Sequence, residues 1–166
     1  MPTPFEILGV EASFDLDVAA LEKRFRELSR EVHPDRNRRA ELGHAMDLNA
    51  AYRTLKDDLT RARAVLAARG VEVGAEERSD DPEFLMEVME LREALGEARE
   101  AGDLATVGKL ATRVRGAYDE AHGLLSRTLG AHDHASARAA LGRMRYFRRF
   151  LDEVDVIEEE AASASP

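Results

Sequence analysis

Residues 21–39 read LEKRFRELSREVHPDRNRR, an amphipathic helical pattern that runs into the tripeptide His33-Pro34-Asp35 and then into a basic loop. Leu21, Phe25, Leu28 and Val32 recur at spacings of four, three and four, which places them on one stripe of an α-helix, with Asp17 positioned to cap it. Pro34 lacks a backbone N–H and cannot sit in a helix interior, so the helix ends there. Beyond the loop, Leu42, Ala45, Leu48, Ala51, Tyr52 and Leu55 repeat the same period. The spacing therefore predicts two helices packed antiparallel, with the tripeptide at the tip of their hairpin.

Working outward, a short helical segment, PFEILGV, precedes this hairpin, and a further one, LTRARAVLAARG, follows it with Gly70 as its C-cap. The order of short helix, long helix, HPD loop, long helix and fourth helix resembles a J-domain across residues 3 to 70. That resemblance implies binding to a heat-shock chaperone of the DnaK or HscA type and stimulation of its ATP hydrolysis, with His33, Pro34 and Asp35 required. It also implies a second chaperone contact on the basic face of the preceding helix, here Lys23, Arg26 and Arg30 with Arg24 beside them. Arg36, Arg38 and Arg39 extend the positive surface into the loop. Glu22, Glu27 and Glu31 share the helix and form i, i+4 partners for Arg26 and Lys23, so part of the pattern also fits a salt-laced, solvated face. Even so, residues 22–39 hold seven Lys or Arg against four Asp or Glu, a local positive excess in a chain of net charge -9. Val32 stands where Tyr is common in the family, Arg36 where Lys is common and Glu27 where a basic residue is frequent. These differences bear on the strength of chaperone coupling rather than on its existence.

The chain changes character at VEVGAEERSDDP, a polar and mostly acidic stretch containing Gly74, Asp80, Asp81 and Pro82. We expect an all-α protein with a J-domain over residues 1–73, a linker over 74–82 and a three-helix bundle over 83–166. The bundle helices are PEFLMEVMELREALGEAREA, LATVGKLATRVRGAYDEAHGLLSRTLG and SARAALGRMRYFRRFLDEVDVIEEEA, separated by a Gly102-Asp103 break and an AHDH turn. In the first, Phe84, Val88, Leu91 and Leu95 form an ordinary core stripe. Leu85, Met86 and Met89 add a second apolar strip, which a bundle helix does not need.

FLMEVMELREAL is very similar to the segment that opens the C-terminal domain of HscB-type co-chaperones of iron-sulfur cluster assembly. The resemblance implies that the cluster scaffold IscU binds on Leu85, Met86, Met89, Glu90 and Glu93, with Arg145 and Tyr146 from the last helix and Arg92 alongside. Family members can have Leu where Met89 stands and Phe where Tyr146 stands. A small Leu/Met strip rimmed by carboxylates and an Arg has the composition of an adaptable protein-binding patch. Without the resemblance, the same residues would more simply be read as packing positions.

Other chemistries find less support. A pI near 5.1 argues against nucleic acid, which requires a broad Lys/Arg excess. Five arginines lie between Arg138 and Arg149, but Met144, Phe147 and Leu151 among them are core by spacing and an acidic DEVDVIEEE tail follows. No apolar run is long enough to cross a membrane, and PTPFEILGVEAS lacks the features of a signal peptide. With no Cys the chain offers no thiolates to zinc or to a cluster, and the cytosol is the simplest compartment. His33/Asp35 and His132-Asp133-His134 have no full ligand spacing such as HExxH, and zinc needs three or four convergent ligands. Neither an enzyme nor a bound metal or cofactor is expected. The HDH turn reads as a helix stop with Asp133 or Ser136 as cap, and His44 and His122 as surface or interhelical residues. Met1 to Pro4 and Ala161 to Pro166 are expected to fray. The resulting expectation is a co-chaperone that activates a partner ATPase and delivers the iron-sulfur scaffold to it. The alternatives are a J-protein with another client, or a helical adaptor whose J-fold is structural only.

Overall fold

The computed structural model describes residues 1–31, 38–74 and 79–165, which form seven helices and no strand. They divide into two compact units, Met1–Gly74 and Ala75–Pro166.

In the first unit, α1 (Pro4–Leu8) is set by a capping box: the Thr3 hydroxyl accepts from the Glu6 N–H at 3.2 Å, and the Glu6 carboxylate accepts from the Thr3 N–H at 2.7 Å. Thr3 and Pro4 are thus held rather than frayed, with Pro4 at the first helical position, where its missing N–H costs nothing. Gly9 closes α1 in the left-handed conformation, φ 64°. Asp17 caps α2 (Val18–Glu31) by accepting from the N–H groups of Ala19 and Ala20. Next come α3 (Arg38–Lys56) and α4 (Asp58–Ala68), the latter capped by Asp57 and stopped by Gly70 at φ 76°. The Val71 N–H reaches back to the Leu66 carbonyl at 2.9 Å, as a helix ending on a left-handed glycine allows.

The core of this unit contains Phe5, Leu8, Phe14, Leu21, Leu48, Ala51, Leu55, Ala62, Val65 and Leu66. The apolar stripes of the hairpin are buried only at this end. Phe25 and Leu28 are half-buried, and Leu42, which the spacing assigned to the core, is 63% exposed. Helix length accounts for the difference. At about 1.5 Å per residue α3 is about 28 Å long, whereas the five residues of α1 span under about 8 Å and cover only part of it. Arg61 locks the same end: its side chain is 4% exposed and fixes the α3–α4 corner and the segment before α2.

In the second unit, α5 (Pro82–Glu100), α6 (Leu104–Gly130) and α7 (His134–Ala164) form the three-helix bundle expected from the sequence. Asp81, Asp103 and Asp133 cap their N-termini. Ser136 is therefore not a cap but the residue whose N–H Asp133 accepts, and α7 starts two residues before it. Its C-terminal end also corrects the fraying expectation, since helix continues to Ala164. Ion pairs Arg143–Asp81 and Arg99–Glu160 sit at the two ends of α5, so α5 runs parallel to α7. Phe84, Leu91, Leu95, Val107, Ala111, Val114, Leu141, Met144, Phe147 and Val154 fill the space between the helices.

Candidate functional site

On the first unit, His33, Pro34, Asp35 and Arg36 lie outside the described residues. The basic face of α2 is described, and its cations do not behave alike. Arg26 donates to Glu22 at 2.6 Å on the exposed surface, the i, i+4 pair expected from the sequence. Glu27 pairs with Arg24 at 3.6 Å rather than with Lys23. Arg24 also turns inward, donating from Nε to the Leu8 carbonyl at 3.3 Å, so it closes the C-terminus of α1 instead of joining the outward basic face. Lys23 and Arg30 are exposed and enter no ion pair among the described residues. With Arg26 they border a shallow groove of about 220 Å³ lined also by Ala19, Glu22 and Glu27. At Phe25, half a turn round the helix, the ring stacks on Tyr52 of α3 with centroids 4.4 Å apart and fixes the pitch of the hairpin. Among the described residues this surface thus presents two cations outside any ion pair and one inside one, a suitable counterpart for carboxylates on a protein partner.

On the second unit, the two apolar strips of α5 separate cleanly. Phe84, Leu91 and Leu95 are buried and Val88 is half-buried, whereas Met86 is 63% and Met89 70% exposed and Leu85 half-buried. Glu90, Arg92 and Glu93 are exposed around them. Tyr146 reaches this helix edge-on, its ring 5.5 Å from that of Phe84, which in turn meets Phe147 at 5.6 Å and 90°. Arg145, on the same turn of α7, is half-buried. The structure therefore brings Tyr146 onto α5 through a buried aromatic that sequence reading had treated only as core. Phe84 is the contact between the two helices that the sequence did not single out, and its signal was adjacency: it stands immediately before the second strip. Two solvent-exposed thioethers with carboxylates on the same helix have the composition of an adaptable protein-binding surface.

Carboxylates elsewhere serve helix ends. Asp103 and Asp133 are held below the usual carboxylate range, foremost by the hydroxyls of Thr106 and Ser136 and then by the same residues' N–H groups. Glu6 is likewise lowered, first by the Thr3 N–H. His132 and His134 stand with ring centroids 6.2 Å apart. Among the described residues no three His, Asp or Glu side chains gather as metal ligands, and no helix is long and apolar enough to cross a membrane.

Two family models match the chain: the DnaJ domain over residues 3–63 and the HSCB C-terminal oligomerisation domain over residues 80–155. A co-chaperone protein HscB homolog of Ralstonia nicotianae is 36% identical over 98% of this chain and 93% of its own length. The chain belongs to the HscB co-chaperone family. HscB structures share its fold: chaperone HscB from Vibrio cholerae superposes with a TM-score of 0.84 at 30% identity, covering 96% of this chain and 99% of that one. Human co-chaperone protein HscB gives 0.86 at 28% identity over 95% and 83%. Membership makes this a J-domain co-chaperone and implies a partner chaperone of the Hsp70 type.

Proposed function

We propose that this HscB-family chain binds the iron-sulfur scaffold IscU on its C-terminal bundle, residues 83–166, and stimulates ATP hydrolysis by a DnaK- or HscA-type chaperone through its J-domain, residues 1–73. The observation that carries the client half is the exposed pair Met86 and Met89 on α5, a helix that Tyr146 of α7 meets at the Phe84 ring. Leu85, Glu90, Arg92, Glu93 and Arg145 complete the patch. For the chaperone half, His33-Pro34-Asp35 and Arg36 supply the trigger and Lys23, Arg26 and Arg30 the steering charge. The ATP chemistry resides in the partner, and the chain acts as an activator in the cytoplasm. Joining a client-binding bundle to the trigger in one chain raises the effective concentration of client at the moment the chaperone hydrolyses ATP and tightens its grip.

Calorimetric titration with the scaffold protein of the same genome tests the reading. Saturable binding is expected, and Met86→Ser with Met89→Ser should weaken it by at least about tenfold, since truncated anchors at the centre of an interface cost about 1–2 kcal/mol or more each. Both positions are exposed, so the melting temperature should hold. Wild-type affinity in the double variant would overturn the site, and no binding by the folded wild-type chain would overturn the client.

A further inference from the structure

The start of α5 carries an arrangement that neither helix stability nor the patch residues explain. Asp81 uses its two carboxylate oxygens for different tasks. Oδ1 caps α5 by accepting from the N–H groups of Glu83 and Phe84 at 3.1 and 3.5 Å, while Oδ2 accepts from Arg143 Nη2 of α7 at 3.0 Å. The Arg143 guanidinium also lies 5.0 Å from the centroid of the Phe84 ring, as a cation-π contact. Phe84 then meets Tyr146, one turn along α7 from Arg143, edge to face at 5.5 Å and 76°. One guanidinium thus touches the cap and the first buried ring of α5, and that ring touches the aromatic of the patch.

We infer that Arg143 is a positioning residue for client binding: it clamps the first turn of α5 to α7 and so sets the distance and angle between the Met86/Met89 strip and Tyr146. Arg143 sits outside the set of patch residues and acts through Asp81 and Phe84. This rests on the scaffold-binding reading of that patch. An apolar partner surface that must meet both helices at once is sensitive to their relative pitch, and a planar fork that pairs and stacks at the same time fixes pitch better than an ammonium could. The ion pair itself is surface-exposed and by itself contributes little stability, which is why its consequence falls on geometry rather than on folding.

Asn is as good an N-cap as Asp, so Asp81→Asn removes the charge partner and leaves the cap. The experiment compares wild type, Asp81→Asn, Arg143→Gln, the double variant and Arg143→Lys in the full-length chain. Two readouts are taken: affinity for the iron-sulfur scaffold by calorimetry, and the methyl NMR signals of labelled methionine in the absence of scaffold. Each single variant should weaken binding about threefold to tenfold, the double should be no weaker than Arg143→Gln alone, and Arg143→Lys should recover part of the loss. The Met86 and Met89 methyl signals should move in both single variants, while the melting temperature stays within a few degrees. Losses that add fully, or binding lost with unmoved methyl signals, would mean that Arg143 touches the client itself and would overturn the clamp. Unchanged affinity in Arg143→Gln would overturn it as well. If wild type does not bind the scaffold, the client reading fails by itself, and unmoved methyl signals would then still refute the clamp.

Discussion

Arg61→Ala should unfold the first unit at temperatures where the second is intact. Arg61 Nε donates to the Phe14 carbonyl and Nη1 to the Leu55 carbonyl, both at 2.8 Å, and Nη2 pairs with Asp58 at 2.7 Å. The guanidinium also lies 5.0 Å from the Phe14 ring centroid. Truncation removes the Arg61 donors from two interior carbonyls at about 1–3 kcal/mol each, and ends the ion pair with the partly exposed Asp58, worth under about 1 kcal/mol. The sum, about 2–7 kcal/mol, brackets the about 3–5 kcal/mol that removing one partner from a buried pair usually costs, which is the loss expected here. For a unit of this size it approaches the whole stability, and at about 4–8 °C per kcal/mol the melting temperature should fall by more than about 12 °C. Urea unfolding followed by circular dichroism, with amide exchange to assign the loss to residues 1–74, is the assay. Arg61→Lys should lose about half as much, since an ammonium cannot fork to both carbonyls. A loss under about 1 kcal/mol for Ala, or a Lys variant as stable as wild type, would refute the assignment of Arg61 as the staple of this unit.

Three further outcomes are expected. His132 sits at φ 58° in the turn between α6 and α7, so His132→Gly should raise the stability of the second unit by about 0.5–1 kcal/mol in a thermal melt, and a fall would count against strain there. Gly9 has φ 64°, and an added Cβ would lie 3.3 Å from Arg24 Nη2. Gly9→Ala should therefore cost about 1–2 kcal/mol by urea titration. Asp103 and Asp133 should titrate by NMR below the usual 3.8, because their ionised forms accept from Thr106 and Ser136. Caps of this kind stabilise the fold above the unfolded midpoint and lose that contribution as pH falls through the lowered folded one. Asp103→Asn should keep the cap and remove its part of the acid sensitivity.

Much of the architecture was legible because helix ends announce themselves chemically. Asp17, Gly70 and the Gly102-Asp103 break mark boundaries that the structure keeps, each through a cap or a left-handed residue. A hydrophobic stripe, by contrast, gives a direction and not the length of its cover, which is why Leu42 and Leu28 are less buried than their period suggested. Arg24 was indistinguishable in sequence from its basic neighbours, because closing α1 depends on a carbonyl sixteen residues away. Arg61 carried no sequence signal for the same reason, since its partner carbonyl at Phe14 is distant in the chain. In the patch, the second strip of α5 was visible as surplus hydrophobicity, whereas the link from Asp81 through Arg143 and Phe84 to Tyr146 needs two helices in place.

The most direct test of the account is single-turnover ATP hydrolysis by the Hsp70-type chaperone of the same genome, with this chain and the iron-sulfur scaffold added separately and together. The chain should accelerate hydrolysis, the scaffold should raise the rate further only when the chain is present, and Met86→Ser with Met89→Ser should remove the scaffold's increment while His33→Gln abolishes both effects. An unaltered hydrolysis rate with folded wild-type chain, or stimulation that survives His33→Gln, would contradict it.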